Sequence, residues 1–392
     1  MRIAISGIGV VSAIGTNVEE NFDALVHKKS GIGSLSLFSS NHQVPVGEVK
    51  LGNEALKVRL GINPRTLLSR TTLLGAMAAH EALGMAQIDP RLRIGLVNAT
   101  SVGGMDLTEQ FYPRFMDDPT SGRIALVAQH DPEQSTRYIA SFCGMNAYTT
   151  TLSTACSSAA NALIFGARLI RHNICDVVVA GGCDALSKFT LNGFSSLGIL
   201  DTKPCKPFDE HRAGLNLGEG AGYVVLQRQD TLRNEALAYL SGYANRNDAY
   251  HQTASSTEGR GAYWAMSEAV KMARIKPHEI DYINVHGTGT PNNDAAESAA
   301  LKRLFGDYIP PFSSTKPYTG HTLAAAGGIE AVYAVLALHK QVVYPNLNFS
   351  CAMKDVHLKP IDDVSSEHKI NHVMSNSFGF GGNDSSLIFS RK

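Results

Sequence analysis

The sequence predicts a layered α/β fold made by repeating one unit, and three observations predict it. Almost uninterrupted apolar runs, residues 94–98 and 176–182, read as strands covered on both faces. Such runs alternate with helical segments along the whole chain, as helices packed on buried sheets require. The order of segments in residues 1–230 returns in residues 231–392, the mark of an internal duplication. The seam falls near residues 227–238, and no low-complexity stretch or long linker separates the halves.

Composition narrows the function. Charged residues make up 18% of the 392, below the ~25% of ordinary soluble domains, and 44% are hydrophobic. This predicts a large buried surface that includes a subunit interface. Lys+Arg and Asp+Glu are both 35, so no global field draws nucleic acid or a membrane. The six cysteines show neither CxxC nor metal-ligand spacing and read as reduced thiols, so no metal and no cofactor is expected. Residues 2–7 read directly as a strand, without a signal peptide or a long apolar span, which predicts a cytoplasmic protein.

Residues 1–11 read as strand, glycine-punctuated turn and strand. Residues 19–27 have helical spacing, with Phe22, Leu25 and Val26 on one face. A second, Ala-rich helix spans 67–83, and Lys57, Arg59, Arg65 and Arg70 cluster just before it or at its start. These charges read either as a solvated face or as a docking patch. After the strand 94–98 and the glycines at 103–104, a strand at 148–152 leads into Thr154-Ala155-Cys156-Ser157-Ser158. A helix of small residues follows, with no charge before Arg168, and a helix so bland must lie in the middle of the protein. Cys156 then sits at a buried helix N-terminus, where unpaired N–H groups and the dipole favour a thiolate. An inert buried cysteine is the alternative.

The second half mirrors this order. Residues 239–243 match the opening strand, 262–273 the Ala-rich helix and 281–285 the strand at 94–98. Thr319-Gly320-His321 opens the helix 323–338, counterpart of the helix behind Cys156. Residues 378–389 parallel the glycine-rich strand at 218–226. Val285-His286-Gly287-Thr288-Gly289-Thr290 puts one histidine at a strand end, and Lys316 precedes a second, His321, at a helix start where a neutral imidazole is favoured. One such histidine alone reads as structural; two of them with a helix-start cysteine read as a catalytic set.

These motifs, with Lys206-Pro207-Phe208-Asp209, Asn247-Asp248-Ala249-Tyr250-His251 and Asn376-Ser377-Phe378-Gly379-Phe380-Gly381-Gly382, resemble the elongating, Cys-His-His branch of the β-ketoacyl-acyl-carrier-protein synthases. The resemblance covers nearly the whole chain. It implies a thiolase-like duplicated αβαβα five-layer sandwich, forming a homodimer or a heterodimer with a related subunit. It also implies a partner, an acyl carrier protein bearing phosphopantetheine-linked acyl and malonyl groups. Carried over by residue, Cys156 accepts the acyl chain, and His286 and His321 promote malonyl decarboxylation and stabilise the enolate. The N–H groups of Cys156 and Phe380 form the oxyanion hole, and Phe380 gates acyl entry. Lys316 orders the second histidine through Glu330. Thr288 and Thr290 hold the pantetheine arm, Phe194, Val102 and Met105 line the acyl pocket, and Arg65 and Arg70 dock the carrier protein.

Three departures bear on the substrate. The chain has Asn383-Asp384 where the family reads Thr-Asn, Lys206 where arginine is common, and Arg212-Ala213-Gly214-Leu215 where Arg-Asp-Gly-Phe is common. They leave fatty acid synthesis and a dedicated polyene or polyketide pathway both open. A thiolase would need a second cysteine in the C-terminal glycine loop, and residues 378–382 contain none. A priming synthase would carry Asn in place of His321, and a non-catalytic chain-length factor would lack Cys156.

Overall fold

The computed structural model describes residues 2–366 and 369–391. Its strands are β1 (Ile3–Val11), β2 (Ile32–Gly33), β3 (Val46–Gly47), β4 (Ile94–Ala99), β5 (Thr149–Leu152), β6 (Val177–Asp184) and β7 (Gly220–Arg228), followed by β8 (Ala238–Asn247), β9 (Tyr282–Asn284), β10 (Phe312–Ser313), β11 (His372–Gly379) and β12 (Asn383–Ser390). Strands β2 and β3 pair with each other, and the other ten form one sheet. The duplication is written in its order. Outward from the antiparallel β1–β8 seam run β7, β6, β4 and β5 on one side, and β12, β11, β9 and β10 on the other. The sense matches as well: β6, β4 and β5 are mutually parallel with β7 antiparallel, and β11, β9 and β10 are parallel with β12 antiparallel.

Five layers result. The helices Ser158–Arg171 and Ala326–Lys340 lie together between the two halves of the sheet. Ala326–Lys340 is buried without a break from Ala326 to Leu338, which explains its lack of a polar face. Leu323–Lys340 has the length and hydropathy of a membrane span, contrary to the expectation of none, but is 89% buried within the protein. The helices Arg70–Ala86 and Arg260–Ala273 cover the outer faces. Both need a glycine beneath them: a Cβ on Gly9 would lie 2.0 Å from Ala78 O, and one on Gly242 2.2 Å from Ala269 O. The same close helix–strand approach thus occurs in both copies.

Some boundaries differ from the sequence reading. The first strand does not turn; a register shift between Ile5 and Gly7 absorbs the glycine, and Met1 lies outside the described residues. The Ala-rich helix begins at Arg70, because Ser69 caps it by accepting the Thr72 N–H, and runs on to Ala86.

Arg70 itself is a correction. It is only 6% exposed and cannot dock a partner. Its guanidinium clamps Glu219 through two bonds of 2.8 and 2.6 Å, and its remaining N–H groups donate to Leu51 O, Asn53 Oδ1 and Val49 O. Lys57 is buried as well, donating to Pro64 O and Glu54, whereas Arg59 and Arg65 are exposed. Arg70→Met strands a buried carboxylate and is expected to lower stability by about 3–5 kcal/mol, whereas adding Glu219→Gln, which removes the charge and keeps an oxygen to accept from the Val49 or Leu186 N–H, restores part of it. Urea denaturation of the single and double variants checks this; equal losses in both would mean that the charge pairing is not what matters.

Candidate active site

Strand β5 delivers the chain to the cysteine through a tight bend. Ala155 has φ 52°, a left-handed conformation that costs a residue with a Cβ about 1 kcal/mol or more and turns the next side chain sharply. The end of β11 passes directly over this bend. A Cβ on Gly379 would lie 2.9 Å from Thr154 O and 3.2 Å from Ser157 N, so only glycine admits the approach. Cys156 is 6% exposed, two residues ahead of the helix Ser158–Arg171. The backbone N–H groups of Phe380 and of Cys156 itself lie near its sulfur and favour its ionised form. Burial nevertheless pushes the thiol up to about 11, with the nearby charge of Lys316 pulling the other way. The sequence reading of a ready thiolate is corrected here, because desolvation outweighs the helix end.

His286 follows β9 and His321 follows the helical turn Lys316–Thr319. Their rings meet edge to face at 5.4 Å between centroids, and both are buried. Desolvation, reinforced by Lys316, holds both imidazoles well below the usual histidine range, so both are neutral at pH 7. Their tautomers follow from their partners. Leu323 N–H donates to His321 Nδ1 at 3.2 Å, and the Lys316 ammonium, which can only donate, lies 3.4 Å from His286 Nδ1. With both Nδ1 atoms accepting, both Nε2 atoms carry the proton. Lys316 Nζ also donates to His286 O and to Glu330 Oε1, each at 2.5 Å. The Lys316–Glu330 pair therefore holds the first histidine, not the second as the resemblance implied.

Glu297 is a contributor whose role the sequence reading missed. Its carboxylate accepts the N–H groups of His286 and Gly287, each at 2.9 Å, and so fixes the turn that carries the histidine. Burial pushes it up to about 7. The signal in the sequence is a carboxylate in an early turn of the helix Pro291–Phe305, which follows the histidine motif.

Two cavities meet at Cys156. One, about 270 Å³, is lined by Cys156, His286, His321, Thr288, Thr290 and Phe380. The other, about 460 Å³ and mostly apolar, is lined by Cys156, Val102, Phe194, Leu197, Phe189 and Phe380. Phe380 is common to both, its ring stacked on Phe194 at 6.0 Å. Thr288 and Thr290 share a hydroxyl hydrogen bond of 2.9 Å. Met105 lines neither cavity; it begins the helix Met105–Asp117 instead.

A buried thiol between two N–H donors, with two neutral imidazoles across one cavity, defines an acyl-transferring enzyme of the thiolase-like class. Residues 1–231 match the family model "Beta-ketoacyl synthase, N-terminal domain" and residues 237–350 match "Beta-ketoacyl synthase, C-terminal domain", and the chain belongs to the β-ketoacyl synthase family. The 3-oxoacyl-[acyl-carrier-protein] synthase 2 of Coxiella burnetii is 33% identical, with all of this chain and 98% of that protein covered. Its Staphylococcus aureus namesake is 30% identical, again over all of this chain and 98% of that one. Among solved structures, "the ishigamide ketosynthase/chain length factor" superposes with TM-score 0.93 at 27% identity, covering 100% and 99% of the two chains. A ketosynthase in complex with its chain length factor from Xenorhabdus doucetiae superposes with TM-score 0.85 at 32% identity, covering 100% and 98%.

Proposed function

We propose that this chain condenses a Cys156-bound acyl group with malonyl-acyl carrier protein, losing CO₂, and that Cys156, His286 and His321 do the chemistry. The observation that carries this reading is that Cys156, His286 and His321 line one cavity, with both Nδ1 atoms taken up as acceptors so that each Nε2 carries the proton. Cys156 attacks the acyl thioester, and its proton ends on the departing pantetheine thiol. Negative charge on the carbonyl oxygen is met by the N–H groups of Cys156 and Phe380, fixed donors in a site with little water. Malonyl thioester then enters. Its carboxylate leaves as CO₂, the electron pair passes into the thioester enolate, and the two Nε2–H groups hold the enolate oxygen. Neutral donors suit this step, since they stabilise the developing anion without trapping it as a protonated enol. The enolate carbon attacks the Cys156 thioester; the second tetrahedral anion uses the same N–H pair and collapses to the β-keto product, expelling the Cys156 thiolate, which takes up one proton from solvent to restore the thiol.

In this reading Thr288 and Thr290 hold the pantetheine arm, Val102 and Phe194 line the acyl cavity, and Phe380 gates passage between the two cavities. Lys316 and Glu330 position His286. Arg65, exposed like Arg59, remains the candidate for carrier docking. Residues 1–230 and 231–392 act as two half-units, each supplying one side of the site. A carrier partner and a second ketosynthase-like subunit are supported by relatives solved as a "type II PKS acyl-carrier protein in complex with its ketosynthase" and as a ketosynthase with its chain length factor. The pathway is fatty acid or polyene and polyketide synthesis, in the cytoplasm. Incubation with a panel of acyl carrier proteins, followed by intact-protein mass spectrometry, is expected to add one acyl mass at Cys156. No adduct from any primer would remove the ketosynthase reading.

A further inference from the structure

One wall of the apolar cavity is a thinly packed helix. Lys188–Ser196 supplies Phe189, Thr190, Gly193, Phe194 and Ser196 to the lining, and Leu197, its C-cap, adds a sixth residue. Of its nine residues only Thr190 and Leu191 are buried. Phe189, Asn192, Ser196 and Leu197 are exposed, and a Cβ on Gly193 would meet nothing within 4 Å. The apolar cluster that Leu191 joins is small, with Val46, Leu186, Leu215, Leu217 and Leu323 as its other buried members. A helix with so few buried contacts belongs to the less stable parts of a fold, so its position depends on polar contacts.

Two side chains from elsewhere in the chain clasp it. Glu109, on the helix Met105–Asp117, accepts the Lys188 N–H at 3.1 Å and the Phe189 N–H at 2.6 Å. Both are free donors of the first turn, and a carboxylate there also meets the positive end of the dipole. His42 holds the C-terminal half, with Nε2 2.9 Å from Asn192 Oδ1 and Nδ1 3.3 Å from Ser195 Oγ. An amide oxygen can only accept, so Nε2 carries the proton and Nδ1 accepts the Ser195 hydroxyl. His42 itself stands on a firm base. The buried Glu48 carboxylate accepts the Ser36 and Leu37 N–H groups and the Ser36 hydroxyl, and Leu35, Phe38 and Val44 pack on the same apolar cluster as the helix.

We propose that His42 and Glu109 are positioning residues that set acyl-chain selectivity: by clasping the helix Lys188–Ser196 they hold Phe194 against Phe380 and keep the cavity wall from yielding outward to a long chain. This rests on the reading of the apolar cavity as the acyl site. Neither His42 nor Glu109 is among the described residues lining the two cavities, so both act through the helix. Phe194 adjoins Ser195 in the chain and stacks on Phe380, so a shift of the helix moves the ring that faces the gate. With the outer side of the helix exposed, the clasp is what opposes outward movement.

Time courses of Cys156 acylation by butyryl- and hexadecanoyl-carrier protein, read by intact-protein mass spectrometry, test this. The measure is the ratio of the two rates, because partial unfolding lowers both together and leaves the ratio unmoved. His42→Ala and Glu109→Ala are each expected to raise the long-to-short ratio about fivefold or more. His42→Gln keeps an N–H donor and an oxygen acceptor, so its ratio is expected to return toward that of wild type. Asn192→Ala with Ser195→Ala removes the same two bonds from the helix side; it is expected to shift the ratio in the same direction, and serves if His42→Ala does not fold. A ratio unchanged or lowered in the alanine variants, or a glutamine variant shifted as far as His42→Ala, would overturn the proposal. Acylation with an unmoved ratio overturns this inference alone, whereas wild-type enzyme that takes neither acyl group overturns the ketosynthase reading as well.

Discussion

Cys156→Ala is expected to make no detectable β-ketoacyl product, a loss of at least about 10⁴-fold, while still releasing CO₂ from malonyl carrier protein. The two halves of this outcome have separate causes. Condensation needs the thioester, and among the described residues no other cysteine lines either cavity. Decarboxylation needs the enolate held, and both histidines with their Nδ1 partners are untouched by the substitution. The thiol has a signature of its own. With Cys156 pushed up to about 11 by burial, the free enzyme is expected to hold it as the thiol at pH 7. Alkylation of Cys156 by iodoacetamide should therefore quicken about tenfold per pH unit, with no plateau until about 11. A plateau near neutrality would show that the unliganded enzyme already stabilises the thiolate. Product from the alanine variant would move the nucleophile elsewhere.

That plateau is what the sequence alone would have led one to expect, and the difference shows which features a sequence can carry. The cysteine ahead of a bland helix, the two histidines at element ends and the glycine turn around Phe380 were all legible, because local chain geometry makes those residue types necessary. The duplication was legible too, since each strand and helix had a counterpart in order. The thiol's protonation was not, because it depends on how much protein closes over Cys156 from both halves at once. Nor was the partner of Lys316. Spacing placed it before His321, but its side chain turns back to His286 O and Nδ1, which a strand register 30 residues away decides. Arg70 was misjudged for the same reason: Glu219, which buries it, lies 149 residues along the chain. An arginine at the head of an apolar helix reads as surface until that partner is known.

His321→Ala and His286→Ala should each leave acylation of Cys156 intact while lowering decarboxylation and condensation by about 10²–10⁴-fold. Each substitution removes one of two donors to the enolate oxygen and leaves the N–H groups of Cys156 and Phe380 in place. Glutamine separates donation from mere bulk. Its terminal amide can present an N–H near the position of Nε2, so His321→Gln is expected to recover part of what alanine loses. The pH dependence follows from the direction of the shift. Burial and Lys316 hold both imidazoles well below the usual range, so they stay neutral as pH falls from 8 toward 6 and protonate only well below that. Decarboxylation by wild-type enzyme should thus show no acid limb near 6.5, where an exposed histidine would titrate. Single-turnover release of CO₂ from malonyl carrier protein, measured across that range for wild type, alanine and glutamine variants, reads all of this directly. An acid limb near 6.5 would mean that a histidine works in its charged cycle as a proton carrier. Glutamine and alanine variants equally slow would mean that the ring, not the Nε2–H bond, is what the reaction uses.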